Sequence, residues 1–252
     1  MTAAALAAGR LSFLIRAHGT AVITRVSVAA VIPAEATAST LLAAQSKRGR
    51  LLKRGGDIVF ALLVLSLGSP LFLLLAVLVK LSSKGSVLYC QRRIGRGYKG
   101  FGCLKFRTMH RDADRLLASL LANDPELRAE FERDHKLKND PRITGIGKFL
   151  RRSSLDELPQ FINVLRGEMS VVGPRPIVWD ELQRYGRDMD AVLSVRPGLT
   201  GLWQVSGRNN LTYATRVRMD LDYVERRTFW LDLHIILLTI GVVLLPMDRG
   251  AY

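Results

Sequence analysis

The stretch Arg151-Arg152-Ser153-Ser154-Leu155-Asp156-Glu157-Leu158-Pro159-Gln160 sets two adjacent carboxylates behind two arginines. Ser154 and Glu157 stand in the S-x-x-E relation of a capping box, Pro159 is tolerated in a first helical turn, and Gly167 follows Asn163-Val164-Leu165-Arg166 as a stop. The stretch therefore predicts a short helix that begins at Ser154. Backbone N–H groups at such a start, with Arg151 and Arg152 beside them, favour anions and keep a nearby carboxylate ionised. An ionised carboxylate can act as a nucleophile, so Asp156 and Glu157 mark the candidate reaction centre. Spacing alone leaves a plainer reading open, because acidic residues collect in first helical turns simply to suit the helix dipole.

The surrounding sequence favours chemistry. Downstream, Val171-Val172-Gly173-Pro174-Arg175-Pro176 holds one arginine between two prolines, whose fixed φ angles also push each preceding residue toward extended conformations. Such a rigid loop suits a guanidinium that meets phosphate. Upstream, Lys105-Phe106-Arg107-Thr108-Met109 adds two cations spaced to share one side of a strand. A solvated strand face is the alternative for Lys105 and Arg107.

These runs, with Gly167-Glu168-Met169-Ser170 and in this order, closely resemble the bacterial sugar transferase family, the monotopic phosphoglycosyl transferases; the resemblance covers roughly 53–252. It implies transfer of a hexose 1-phosphate from a UDP-sugar, galactose or glucose by analogy of the tail Arg249-Gly250-Ala251-Tyr252, to undecaprenyl phosphate with release of UMP. It further implies a site at the cytoplasmic face of the bacterial inner membrane, opening exopolysaccharide or related glycan synthesis. Asp156 would be the nucleophile that carries the phosphosugar, and Glu157 would assist or position the acceptor phosphate. Lys105, Arg107, Arg151, Pro174, Arg175 and Pro176 would bind substrate. Mg²⁺, held partly through Asp156, would help to neutralise the diphosphate. The chain resembles the short catalytic form of the family.

Before this region lies the most apolar stretch, 58–79, which carries no charged residue and follows the basic cluster Lys47-Arg48-Gly49-Arg50 and Lys53-Arg54. Its length suffices for a bilayer, since about 20 apolar residues span the hydrocarbon core. Gly68-Ser69-Pro70 interrupts it, and proline removes a helical hydrogen bond, so a kink near Ser69 is expected. The chain then either crosses with a kink or turns back. Basic residues at both ends, Lys80, Lys84, Arg92 and Arg93 on the far side, favour one common side. The resemblance favours re-entry too, with Ser69 and Pro70 as the membrane-helix break and Lys53, Arg54 and Asp57 at the entry. Asp57 at depth needs a partner, for which Arg54 or the headgroup region is the expectation.

The fold class that follows is mainly α with a small β-hairpin, membrane-associated, with interfacial amphipathic helices. Residues 1–46 read as a poorly ordered arm without a secretory pattern, 47–84 as the basic entry and kinked re-entrant helix, 85–230 as the cytoplasmic catalytic domain, and 231–252 as an interfacial segment with Trp230 at headgroup level. The hairpin is expected over 86–95 and 101–106. Helices are expected over 112–121 and 125–136, the first with a packed stripe of Leu116, Leu117, Leu120 and Leu121, and a mixed helix over 179–193. Residues 196–201 read as a turn. Trp203 to Asn209 brings aromatic, amide and guanidinium groups that suit either a sugar or base contact or ordinary packing. Cys90 and Cys103 are too few and too far apart for a disulfide framework or zinc site and read as buried thiols; His110 and His135 lack metal-ligand spacing.

Thirty-seven Lys and Arg against 22 Asp and Glu give a net charge of +15, which suits nucleic acid, anionic lipid and phosphorylated substrates alike. A basic membrane adaptor leaves the proline-arginine-proline loop and the paired carboxylates unexplained, and nucleic acid is not an expected partner. A membrane phosphohydrolase of nucleotide sugars shares the phosphate chemistry and differs in accepting water. An exposed apolar tail is compatible with a homodimer on the membrane.

Overall fold

A computed structural model of the chain describes residues 13–17, 20–24, 47–134, 137, 139–207 and 210–244. The chain divides into two units, Met1–Thr37 and Ala38–Tyr252. Within the first, β1 (Phe13–Ala17) and β2 (Thr20–Thr24) pair antiparallel, with Phe13 opposite Thr24. Part of the expected unstructured arm is therefore a hairpin, built from apolar and β-branched residues that suit a pleated ribbon. The remainder of that arm lies outside the described residues.

The larger unit opens with α1 (Lys47–Leu67) and α2 (Ser69–Ser82), which meet at a bend of 64°. The break is local chemistry. Pro70 has no N–H to give the carbonyl of Ser66, and the Ser69 hydroxyl donates to that carbonyl instead, at 2.9 Å. Gly68 is needed at the corner, because a Cβ there would lie 2.5 Å from the carbonyl oxygen of Val64. No single described helix is long and apolar enough to cross a membrane. Each helix turns one apolar face inward, Phe60, Ala61 and Val64 on α1 and Leu75 and Val79 on α2, and a second apolar face outward, including Leu63, Leu67, Leu74 and Leu81.

The hairpin is as expected: β3 (Leu88–Ile94) and β4 (Gly100–Phe106) pair antiparallel, with Leu88 opposite Phe106. Then come α3 (Ala113–Asn123) and α4 (Pro125–Asp134), with Asp124 Oδ1 accepting from the backbone N–H groups of Glu126 and Leu127 as an N-cap. Asp112, at the N-cap position of α3, makes no side-chain cap bond. The leucine stripe is only half covered: Leu117, Leu120 and Leu121 are half-buried, and Leu116 is exposed. Cys103 is buried as expected, but Cys90 is exposed.

Next, α5 (Gly145–Ser153) starts on Thr144, whose hydroxyl oxygen accepts from Gly147 N, and α6 (Gln160–Arg166) ends on left-handed Gly167. The parallel strands β5 (Ser170–Val172) and β6 (Gly198–Thr200) follow, so the expected turn over 196–201 contains a strand. Residues 179–192 form four short turns interrupted at Gly186 (φ +53°), not one mixed helix. Last come α7 (Leu202–Ser206), α8 (Tyr213–Arg226) and α9 (Phe229–Leu244). The main core gathers Ala61 of α1, Cys103 of β4, Phe161 and Val164 of α6, Val171 of β5, Tyr223 of α8 and Ile235 of α9. The tail helix thus buries Ile235 while leaving Phe229, Trp230, Leu237 and Ile240 outward.

Buried charge stitches the broken helix pair to the rest. Asp57 accepts from Lys53 Nζ at 3.2 Å, from the Ser170 hydroxyl at 2.8 Å and from Val171 N at 3.1 Å. Lys53 also reaches Asp232 at 2.8 Å, and Asp232 accepts from the Tyr223 hydroxyl at 2.8 Å. Arg54, the expected partner of Asp57, does something else: its guanidinium donates to the carbonyls of Val164 and Leu165, at 2.6 and 3.0 Å, at the C-terminal end of α6. Both carbonyls lie at the C-terminal end of α6, which carries the negative end of the helix dipole, so a cation there is favoured.

Candidate active site

Asp156 and Glu157 occupy a 3-10 turn, Leu155–Glu157, between α5 and α6. The capping box expected from Ser154 and Glu157 is not formed. Ser154 is instead the left-handed C-cap of α5 (φ 58°), its side chain makes no cap bond, and α6 begins only at Gln160 behind Pro159. Arg151 and Arg152 are the last turn of the preceding helix, where cations suit the dipole, and not the approach to a new one.

The structure collects several cations around this turn. Lys105 Nζ donates to Glu157 Oε1 at 2.6 Å. Arg175 and Arg93 act electrostatically on Glu157, and Arg151 on Asp156. The Nε of Arg151 donates to the Thr108 hydroxyl at 2.9 Å, which fixes the guanidinium beside the turn. Pro174 and Pro176 are buried while Arg175 between them is half-buried. That loop is pinned by close backbone crossing, since a Cβ on Gly198 would lie 2.1 Å from Gly173 N. Arg107 is not part of the cluster. It follows the end of β4, is buried, and donates from NH2 to the Ser83 carbonyl at 2.7 Å, bracing the loop after α2.

Electrostatics separate the two carboxylates. Burial pushes Asp156 up to about 6, with the Glu157 charge adding to it and Lys105 and Arg151 pulling against it. The expected field that would keep this carboxylate ionised is thus outweighed by desolvation. Burial pushes Glu157 up too, but Lys105, through charge and hydrogen bond, and then Arg175 and Arg93 more than offset it and hold Glu157 below the usual glutamate range. Among the described residues no other side chain donates a hydrogen bond to Asp156, whereas Glu157 is committed to Lys105. One carboxylate is held and the other is left open to an incoming group.

Two features escaped the sequence reading. Arg93 looked like a flanking charge, yet its NH1 donates to the Pro176 carbonyl at 3.1 Å, and burial, then Arg175, lower its pKa. The hairpin register carries the signal: with Tyr89 opposite Lys105 and Arg93 opposite Phe101, alternation sets Arg93 and Lys105 on one face. Asn163, fully buried on α6, accepts from Leu104 N at 3.0 Å and donates to the Gly102 carbonyl at 2.7 Å, fastening the hairpin to the turn's own helix. Trp203, left open by the sequence, is 3% exposed and so faces neither sugar nor base; Arg175 and Arg216 lie over its ring at 5.8 and 5.0 Å. Arg208 and Asn209 lie outside the described residues.

Among the described residues no three His, Cys, Asp or Glu side chains gather into a metal cage. Mg²⁺ does not need one, because it characteristically binds one or two carboxylates and completes its shell with waters and substrate phosphates. A buried Asp156 that takes no side-chain hydrogen bond is a fitting oxygen ligand for it.

The family model described as Bacterial sugar transferase matches residues 48–246. The chain is 56% identical over 203 residues to an uncharacterised sugar transferase of Haemophilus influenzae, covering 81% of this chain and 42% of that one. It is 52% identical over 206 residues to the undecaprenyl-phosphate galactose phosphotransferase of Salmonella typhimurium, covering 82% and 43%. It is 50% identical over 204 residues to the exopolysaccharide production protein ExoY of Rhizobium meliloti, covering 81% and 89%. The chain therefore spans under half the length of the first two relatives and most of the third. On this evidence the chain belongs to the bacterial sugar transferase family.

Proposed function

We propose that this chain transfers hexose 1-phosphate from a UDP-hexose, galactose or glucose, to undecaprenyl phosphate and releases UMP, as a first step of exopolysaccharide or related glycan synthesis. The observation that carries the reading is the contrast within one turn: Asp156 is buried and takes no side-chain hydrogen bond, while Glu157 is tied to Lys105 beside Arg93 and Arg175. An Asp156 carboxylate oxygen attacks the phosphorus that bears the sugar, the bridging P–O bond breaks, and its electron pair leaves on UMP. The acyl phosphate so formed is then attacked at the same phosphorus by an oxygen of undecaprenyl phosphate, which returns the carboxylate and yields the diphosphate-linked sugar. Lys105, Arg151 and Arg175 stabilise negative charge on the phosphoryl oxygens. Glu157, kept ionised by its cations, holds Lys105 toward the site and orients the acceptor. Mg²⁺, held through Asp156, would supply charge neutralisation at the diphosphate.

The same reading places the bent pair α1–α2 in the cytoplasmic leaflet as a re-entrant element, with α9 along the interface. Outward Leu and Val side chains support it, each worth roughly 0.3–0.6 kcal/mol on insertion at depth. Asp57 would cost about 2.5–3.5 kcal/mol if unpaired at the centre. Its bonds to Lys53, Ser170 and Val171 remove most of that penalty.

Intact-protein mass tests the chemistry. Detergent-solubilised wild type with Mg²⁺ and UDP-galactose or UDP-glucose, without lipid, is expected to gain one hexose phosphate, and Asp156→Asn none. UMP release that depends on undecaprenyl phosphate distinguishes transfer from hydrolysis. An adduct of unchanged yield in Asp156→Asn would remove Asp156 as nucleophile, and lipid-independent UMP release without adduct would favour the hydrolase.

A further inference from the structure

A cavity of about 780 Å³, lined by none of the candidate catalytic residues, is walled by the end of α2 and the start of α3, with Lys84, Arg111 and Arg115 on it. Two further cations brace its wall. Arg107 NH2 donates to the Ser83 carbonyl at 2.7 Å, and Lys80 Nζ donates to the Gly85 carbonyl at 3.1 Å. The loop leaves them no slack: Gly85 has φ +126°, and a Cβ there would collide with NH1 of Arg107 and touch Cδ of Arg111. Five cations thus share this wall with only two carboxylates, Asp112 and Asp114. Among the described residues none of these charged groups forms an ion pair. Two buried polar groups call for the same kind of ligand. Arg107 is 8% exposed and its Nε has no partner, and the Ser83 hydroxyl, at the cavity wall, is likewise buried without one. A guanidinium taken out of water without a counter-charge is costly, and an anion is the group that relieves it.

We propose that this cavity binds an anionic phospholipid with a hydroxylated headgroup, of the phosphatidylglycerol kind, at a site separate from the reacting turn. The choice of a membrane lipid rests on the leaflet placement of α1–α2 given above. Leu74, Leu78 and Leu81 lie at i, i+4 and i+7 on α2 and are all exposed, so they form one stripe that runs up to the cavity at Ser82. Acyl chains along that stripe and a phosphate at its cationic end match the two halves of one molecule. The phosphodiester oxygens accept from Arg111, Arg115 and the Ser83 hydroxyl, and the headgroup hydroxyls donate to Asp112 and Asp114. That division accounts for two carboxylates on a wall that otherwise selects anions. A choline headgroup would bring a fixed positive charge and no hydroxyl to the same place. A lipid held here anchors the point at which the bent pair leaves the leaflet, shortly before β3 begins.

Native mass spectrometry of the full chain in detergent micelles, with dioleoyl phosphatidylglycerol or phosphatidylcholine titrated in, reads the site without needing activity or a bilayer. The wild type is expected to retain phosphatidylglycerol at least ~10-fold more tightly than phosphatidylcholine. Arg111→Gln/Arg115→Gln is expected to lose ~10- to 30-fold of that affinity, the weight of two basic groups at a lipid phosphate. Arg187→Gln/Arg226→Gln removes the same charge from exposed positions elsewhere and should cost less than ~2-fold. If the first pair does not fold, Lys84→Gln, at an exposed side chain, makes the same test with an expected loss of ~3- to 5-fold. Equal retention of the two lipids by the wild type, or equal losses in the two double variants, would overturn the proposal. Displacement of phosphatidylglycerol by equimolar sn-glycerol 3-phosphate would overturn it in favour of a free phosphate, and tighter binding of undecaprenyl phosphate in favour of the acceptor. A wild type that does not float with phosphatidylcholine vesicles would defeat the leaflet placement, while the micelle titration still decides the cavity.

Discussion

Two carboxylate clusters, one joining α1 to β5 and α9 and one in the turn before α6, treat their charges differently. Beside α1, Asp57 and Asp232 share Lys53 and are completed by Ser170, Val171 N and Tyr223. At the turn before α6, Asp156 is also buried but is supplied with nearby cations and no side-chain hydrogen bond. A carboxylate whose oxygens are all matched stabilises the fold, and breaking it leaves buried partners unpaired. A buried carboxylate left unmatched works against folding and is kept ready for an incoming ligand. The difference teaches where structure ends and chemistry begins in this chain.

The largest expected effect strikes at that contrast. Asp156→Asn should reduce transfer at least ~1,000-fold, with a melting temperature equal to or above that of the wild type, because an awkward buried charge is removed. A clear fall in melting temperature would mean that Asp156, like Asp57, has a structural task. Asp57→Ala should do the reverse, lowering stability by about 2–4 kcal/mol in chemical denaturation, with the protein that remains folded still active.

The pH profile sharpens the comparison further. If Asp156 attacks as proposed it must be ionised, and its pKa is raised to about 6, so kcat/KM should be level above that value. Below it the rate should fall about tenfold per pH unit. An acid limb near pH 4, the range of an ordinary aspartate, would show that burial does not govern it. The smallest effect expected is a displacement of that limb: Lys105 pulls Asp156 downward, so Lys105→Met should move the limb to higher pH as well as weaken donor binding. A limb that moves to lower pH would contradict the assigned influence of Lys105.

Elements made by local rules were legible. The β3–β4 hairpin showed as apolar strands around a glycine-rich turn, and the helix break at Gly68-Ser69-Pro70 followed from proline chemistry. The misread start at Ser154 has a specific cause. Gly145 and Gly147 look like loop punctuation, so α5 went unseen and the S-x-x-E pattern seemed to open a helix. Gly147 is there for contact: a Cβ would lie 2.0 Å from the Thr108 carbonyl oxygen, and only glycine lets α5 approach so closely. A local pattern holds no record of that neighbour. Arg54, Arg93 and Asp220 were illegible for a related reason, since their partners at Val164, Pro176 and Tyr185 are distant in sequence. Lys105 and Asp156 entered as candidates through the family resemblance of their runs, spacing alone having left plainer readings open, and the fold brings Lys105 onto the turn that holds Asp156 by its bond to Glu157.

The grip of Arg54 on the end of α6 has a mechanical meaning. One helix of the bent pair holds, by its side chain, the helix that directly follows the reacting turn. If α1 settles at a depth set by its own apolar face, that depth is passed on to Asp156 as a height above the bilayer, much as a gauge block sets a cutting tool. A single residue inserted between Arg54 and Ala61 would shift the rest of α1 by about 1.5 Å and turn it by about 100°. Such an insertion would uncouple the depth of the anchor from the height of the nucleophile without touching any group that meets substrate. On the proposed transferase reading the lipid acceptor cannot leave the membrane to search for its site, and a fixed elevation carried in the framework would let the enzyme meet it.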